Sequence, residues 1–217
     1  MSSSKYNFEG EMVLLVEGKN DFHVIMALGE KYNIPQNFKI YNCEGDEKVL
    51  EKLNALIPTA IPPKVIGLVL DADNPNLSGR WLSIQSKLAY HKCSLPEKPN
   101  PNGTIIKSYD DIPRLGIWLM PNNHVDGMLE DFCCEMISEQ AISTVEECIN
   151  IATERGHTSF IPNHHIKAVV HTYLAWQDEP GKPLGQSITS NALRSNTPTA
   201  NTFAAWLKDL FDEENSA

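Results

Sequence analysis

Two apolar runs that each end in acid constrain this chain more than anything else in it. Val13-Leu14-Leu15-Val16 gives way at once to Glu17-Gly18, and "VIGLVL" (65–70) to Asp71-Ala72-Asp73. Runs apolar at every position, rather than at alternate ones, suit strands buried on both faces, the condition of a parallel sheet covered by helices. Between them the spacing predicts a helix over 20–32, a strand over 38–42 and a helix over 47–57, closed by Pro58, Pro62 and Pro63. Strand–helix–strand–helix–strand in that order implies an α/β fold with a mainly parallel central sheet flanked by helices.

Beyond the second run the pattern predicts a helix over 79–91 and a Pro/Gly loop over 94–103. A short strand around 103–107 follows, then a clear one over 114–121 and a helix over 128–137. From about 138 onward strands vanish. Helical patterns occupy 143–156, 163–177 and 200–211, with a short helix after the turn "EPGKPLG". The reading is one α/β core over 1–137 and a helical C-terminal extension over 138–217 packed on it.

With 41% hydrophobic residues and mixed charge, the chain reads as an ordinary globular protein. No apolar stretch approaches the roughly 20 residues that cross a bilayer, and the first residues lack a signal-peptide core, so the cytoplasm is the expectation. Five cysteines without a C-x-x-C suggest neither a disulfide framework nor a zinc ribbon. A net charge of −10 argues against a simple nucleic-acid binder, which needs a basic footprint. It is compatible with an enzyme that meets phosphates through divalent cations.

In parallel α/β sheets the ligand site lies beyond the carboxyl ends of the strands. Glu17 stands at that end of the first strand, and Asp71 and Asp73 at that end of the third. Glu130 follows the strand that ends at Met120, across a loop of turn formers (Pro121, Asn122, Asn123, Gly127). Four carboxylates from three segments thus converge on one rim, with Asp21 a fifth. Such a group repels itself unless something positive joins it, and Mg²⁺ favours carboxylate oxygens, water and substrate phosphates. Each acid alone reads more simply as a helix cap or solvated turn residue; the combination in order, E-G-x-x-D and then D-x-D, is what carries weight. Asn74, Asn123 and His124 lie where they could orient water at the same rim, although both asparagines are also natural turn residues.

"VEGKND" followed by "LVLDAD" resembles the Toprim domain, the metal-binding module of topoisomerases, primases and OLD-family nucleases. "GIWLMPNNHVDGMLEDF" is similar to the strand and glutamate-bearing helix of the OLD-type enzymes. The chain as a whole more closely resembles the small stand-alone Toprim-like proteins of the DUF3226 type, through "IKAVVHTYLAWQDEPGKPLGQSI". The resemblance implies a Rossmann-like Toprim fold and a Mg²⁺- or Mn²⁺-dependent nuclease, using two ions to hydrolyse phosphodiesters of DNA or RNA. Glu17 is then a metal ligand or general base, Asp21, Asp71 and Asp73 are metal ligands, and Glu130 serves a second ion. Gly18 belongs to the same motif, and Lys167 corresponds to a late lysine beside the scissile phosphate.

The sequence departs from OLD-type enzymes in two places. Met128 stands where they often carry a small hydroxyl residue, and no G-x-x-x-x-G-K-[ST] phosphate loop occurs. The resemblance therefore implies an ATPase partner protein and weak, metal-mediated contact with nucleic acid; it leaves room for a homodimer and gives no membrane role. The main rival is a non-catalytic Toprim-like module that binds metal or a partner. A haloacid-dehalogenase-like phosphatase comes third, because that fold carries its D-x-D on the first core strand. Trp118, Trp176 and Trp206 are expected in the core, and Asp131 is ranked below Glu130 because it points about 100° round the helix.

Overall fold

In the computed structural model, residues 11–73 and 75–212 are described. Five strands, β1 (Met12–Val16), β2 (Lys39–Asn42), β3 (Val65–Asp71), β4 (Thr104–Ile106) and β5 (Arg114–Met120), form one sheet in the order β2-β1-β3-β5-β4. The β1–β2, β1–β3 and β3–β5 pairs are parallel, and only β4, at the edge, runs antiparallel. The α/β class and mainly parallel sheet expected from the apolar runs are what the chain adopts.

Among the described residues, eight α-helices surround the sheet: α1 (Lys19–Lys31), α2 (Asp46–Leu56), α3 (Leu77–Tyr90), α4 (Leu129–Cys134), α5 (Glu139–Glu154), α6 (His165–Ala175), α7 (Leu184–Thr189) and α8 (Pro198–Leu210). Alternate residues of each strand face opposite layers. Val13, Leu15, Ile66, Leu68 and Leu70 pack under α2 and α3. Leu14, Val16, Val69, Trp118 and Met120 pack on the other face under α1, α4 and α6 to α8. Helices beyond residue 138 therefore share a core with the sheet. Phe203 and Trp206 of α8 meet Trp118 at ring-centroid distances of 5.1 and 5.6 Å, an aromatic cluster at its centre.

Two close approaches explain how this second layer sits so near. Gly67 and Gly116 are Cα partners on β3 and β5. A Cβ at Gly116 would lie 2.3 Å from a Leu210 methyl, and one at Gly67 would meet the same side chain at 3.0 Å. The glycine pair is the seat into which α8 sets its last leucine. On α7, a Cβ at Gly185 would stand 2.4 Å from the His23 carbonyl oxygen, so α7 rests backbone-to-backbone on α1.

The helix ends follow ordinary capping chemistry. Asn76 accepts from the Gly79 amide at the start of α3, and Thr197 from the Ala200 amide ahead of Pro198 on α8. Ser138 caps α5 in the same way, which is why that helix opens at Glu139 rather than at the expected 143. The other boundary differences are shorter, the 128–137 helix running only from Leu129 to Cys134. Trp176 departs from expectation: it is 48% exposed, because α6 ends at Ala175 and carries the indole past the last turn that faces the core. No helix among the described residues is long and apolar enough to cross a membrane.

Candidate functional site

β1 has β2 on one side and β3 on the other, so the chain crosses over in opposite directions from β1, opening a crevice at the carboxyl ends of β1 and β3. Glu17 and Asp71 stand at its two lips. Glu17 Oε1 accepts a hydrogen bond from the Asp71 amide at 2.8 Å, which locks the two strand ends together. Asp21, on the first turn of α1, accepts through Oδ2 from the Gly18 amide at 3.1 Å. Asp71 Oδ1 accepts from the Leu129 amide at 2.9 Å, drawing the start of α4 onto β3. In each carboxylate one oxygen is anchored on a main-chain N–H. The second oxygen of Asp21, Oδ1, is buried and has no hydrogen-bond partner.

The loop after β5 is tied to the turn after β3 by backbone bonds from Ala72 to Gly127 (2.7 Å) and from Gly127 to Ala72 (3.4 Å). Asp131 closes the start of α4 by accepting from the Met128 amide at 2.8 Å, a capping role that leaves Glu130 to face the crevice. Glu130 is buried, and Lys167 of α6 brings its Nζ to 4.0 Å from Glu130 Oε1. Gly18, Asp21, Asp71, Glu130 and Lys167 line a cavity of about 410 Å³, with Lys19, Asn20, Asn42, Glu44 and Leu129 completing its wall.

The acids are strongly coupled. Burial, and then the charges of Asp21, Glu17, Asp73 and Glu130, push the Asp71 carboxyl up to about 9. Burial raises Glu17 to about 7 against the opposing Asp71 amide bond and the Arg80 guanidinium, with Asp21 adding to the rise. Burial likewise raises Asp21 to about 6, the Glu130 charge adding to the effect while main-chain bonds and Lys167 oppose it. Protein charge alone does not balance this rim.

The structure therefore brings Glu17, Gly18, Asp21, Asp71, Glu130 and Lys167 together. Asp73 is exposed and does not line the cavity, although its charge reaches Asp71 and Asp131. Two residues expected as auxiliaries lie away from the cavity. Asn123 is buried in the turn after β5, its Oδ1 accepting from the Leu119 amide at 2.7 Å, and His124 is exposed; neither lines the cavity. Asn74 lies outside the described residues. Sequence reasoning overlooked Arg80, Asp46, Asn42 and Glu44. Arg80 lay inside a helical pattern where a charged residue ordinarily faces water, and nothing in the string "GRWLSIQ" marked it as buried.

Does this site suit a divalent cation? Among the described residues no three Asp, Glu, His or Cys side chains stand close enough to enclose one ion as they are placed. Mg²⁺ does not require such a cage; it is commonly held by one or two carboxylates, waters and substrate phosphates. The donors here are all hard oxygens, Lys167 and Arg80 offset their charge only in part, and Asp21 Oδ1 is a buried acceptor without a donor. The residues fit. Away from the cavity, His165 of α6 is paired with Glu146 (2.9 Å), and His171 of the same helix is exposed.

Comparison with known proteins now adds a family. The family model described as "Protein of unknown function (DUF3226)" matches residues 11–212. The C-terminal region of the Burkholderia pseudomallei OLD protein superposes with a TM-score of 0.50 at 12% identity, covering 93% of this chain and 98% of that one. The C-terminal region of the Xanthomonas campestris pv. campestris OLD protein gives 0.50 at 13% identity, covering 94% and 97%. At such identities the likeness is one of fold. No curated protein matches the chain.

Proposed function

This chain belongs to the DUF3226 family, and from that premise we propose that it is a Toprim-type, Mg²⁺-dependent phosphodiesterase acting on nucleic acid. The observation that carries the reading is the meeting of Asp21, Asp71, Glu130 and Lys167 in one open cavity at the sheet's crossover point. The E-G-x-x-D and D-x-D motifs, on which the Toprim resemblance rests, supply the first two of these residues, and Glu17 behind them. The fold shared with the two OLD C-terminal regions is consistent with it.

Asp21, Asp71 and Glu130 would hold the cation, with Glu17 fixing Asp71 from behind. A divalent ion there would supply Lewis-acid stabilisation of the phosphodiester and a more acidic water. Glu17, partly exposed at the end of β1, would take the proton released from water. Lys167, half-buried and 4.0 Å from Glu130, would swing its ammonium onto a non-bridging phosphate oxygen and offset charge in the transition state. A second ion, an ATPase partner and the choice between DNA and RNA belong to the same proposal.

One specific observation favours a second reading, a metal-binding module that cleaves nothing by itself. Among the described residues, Lys19 and Lys167 are the only cations on the cavity wall, and the buried Met128 side chain offers no oxygen beside Glu130. Calorimetric titration of Mg²⁺ and Mn²⁺ into the wild type and an Asp71→Asn variant, with supercoiled plasmid and single-stranded DNA as substrates, separates them. Metal binding and nicking that both disappear in the variant support the nuclease. Binding without cleavage supports the module, and no binding in the wild type overturns both.

A further inference from the structure

Behind the acid rim sits a cation that the reading above does not use. Arg80, on the first turn of α3, is 5% exposed, and its guanidinium points inward to the carboxyl end of β3. Nε donates to the Asp71 carbonyl oxygen at 3.0 Å, and Nη1 to Asp46 Oδ2 at 2.6 Å. Asp46 is the first residue of α2, so one side chain joins the second helix, the third helix and the end of the central strand. The Asp71 residue is gripped on both sides: its amide by the Glu17 carboxylate at 2.8 Å, its carbonyl by Arg80.

Burying a guanidinium is expensive unless its donors are matched, and an exposed arginine on α3 would serve packing as well. The fork geometry gives a reason for the residue type. A planar guanidinium can address the carbonyl and the carboxylate from two of its nitrogens at once, which the point charge of lysine cannot reproduce. We propose that Arg80, anchored by Asp46, is a positioning residue of the acid site: it fixes the main chain at Asp71 and so sets how the Asp71 and Glu17 carboxylates face the cavity. This rests on the metal-site reading above.

Two other roles predict different behaviour. If Arg80 acted only as a positive charge near the acids, its loss would remove repulsion and tighten cation binding. If it only packed α3 against α2, its loss would lower stability and leave binding alone. The positioning role alone predicts weaker binding with the charge retained. The test is Mn²⁺ titration followed by electron paramagnetic resonance of the free ion, at one pH and ionic strength. The samples are wild type, Arg80→Lys, Arg80→Gln and Asp46→Asn, each checked for fold by circular dichroism.

Outer partners that orient ligands typically change metal affinity by 10–100-fold, so Arg80→Lys should weaken Mn²⁺ about tenfold and Asp46→Asn by less. Wild-type affinity in Arg80→Lys, or tighter binding in Arg80→Gln, overturns the proposal while leaving the site reading intact. Absence of Mn²⁺ binding in the wild type overturns both. Should Arg80→Gln unfold because Asp46 is left unpaired, the Arg80→Met/Asp46→Leu pair removes both charges together. Undiminished Mn²⁺ affinity in that folded variant overturns the proposal equally.

Discussion

The two ends of the same sheet treat buried charge in opposite ways. Where β5 begins, Arg114 is 5% exposed, yet its guanidinium donates to the carbonyls of Leu210 (3.3 Å) and Asp209 (3.2 Å) and to the Asp209 carboxylate (3.2 Å). One cation closes the end of α8 onto the strand and is itself satisfied. Where β1 and β3 end, Glu17, Asp21 and Asp71 crowd together, each raised above its ordinary value, and one Asp21 oxygen has no donor. A fold that balances a buried arginine at each end has not balanced these carboxylates. The imbalance lies at the end where the proposed cation would bind.

The contrast can be broken experimentally, and the largest effect should come from the unbalanced end. Asp71→Asn should lower Mg²⁺ affinity at least a hundredfold, about 3 kcal/mol, while the metal-free melting temperature holds or rises, because the amide removes the cost of keeping a buried carboxyl protonated. Calorimetry and thermal unfolding report the two halves of that expectation. A melting temperature that dropped sharply would make the rim structural.

Arg114→Met should do the reverse. Loss of hydrogen bonds from a charged group costs about 2–3 kcal/mol, readable as a lower midpoint in urea, with Mg²⁺ affinity unchanged within twofold.

A third expectation concerns pH. Glu17, Asp21 and Asp71 hold protons more tightly folded than unfolded, so between about pH 4 and pH 9 the folded state carries the extra protons. Stability of the metal-free protein should therefore fall as pH rises through that window. A fall in melting temperature from about pH 5.5 to 8 is expected, and Asp71→Asn should reduce it, leaving the share of Glu17 and Asp21. A rising melting temperature over the same range would contradict the imbalance. The smallest effect belongs to Trp176, near neither end: Trp176→Ala should stay within about 0.5 kcal/mol in the same urea titration.

Much of this contrast could be read from the chain, and the part that could not has a common cause. The unbroken apolar runs gave away β1 and β3 because strands buried on both faces leave no polar alternation. Position after a strand then brought Glu17, Asp71 and Glu130 to one rim. Asp73 was harder, because a D-x-D pair shares a face only while the strand continues, and β3 stops at Asp71. Asn123 read equally well as a turn former and as a water-orienting group; the bond from the Leu119 amide assigns it to the turn. Arg80 and Arg114 were opaque for the same reason as each other. Whether an arginine is buried depends on carbonyls and carboxylates brought from remote segments, and no local pattern announces them.

The seat formed by Gly67 and Gly116 bears on time as well as on energy. Leu210 fills a slot that these two strands leave open, and the three residues are remote in sequence. Until α8 arrives, the middle of the sheet presents a furrow on one face, and water can reach the strand amides beneath it. Contacts closed over such long stretches of chain form late. The amides of β3 and β5 should thus exchange hydrogen at the rate at which α8 lifts, so that the helix, rather than strand pairing, sets how long the centre of the sheet stays shut.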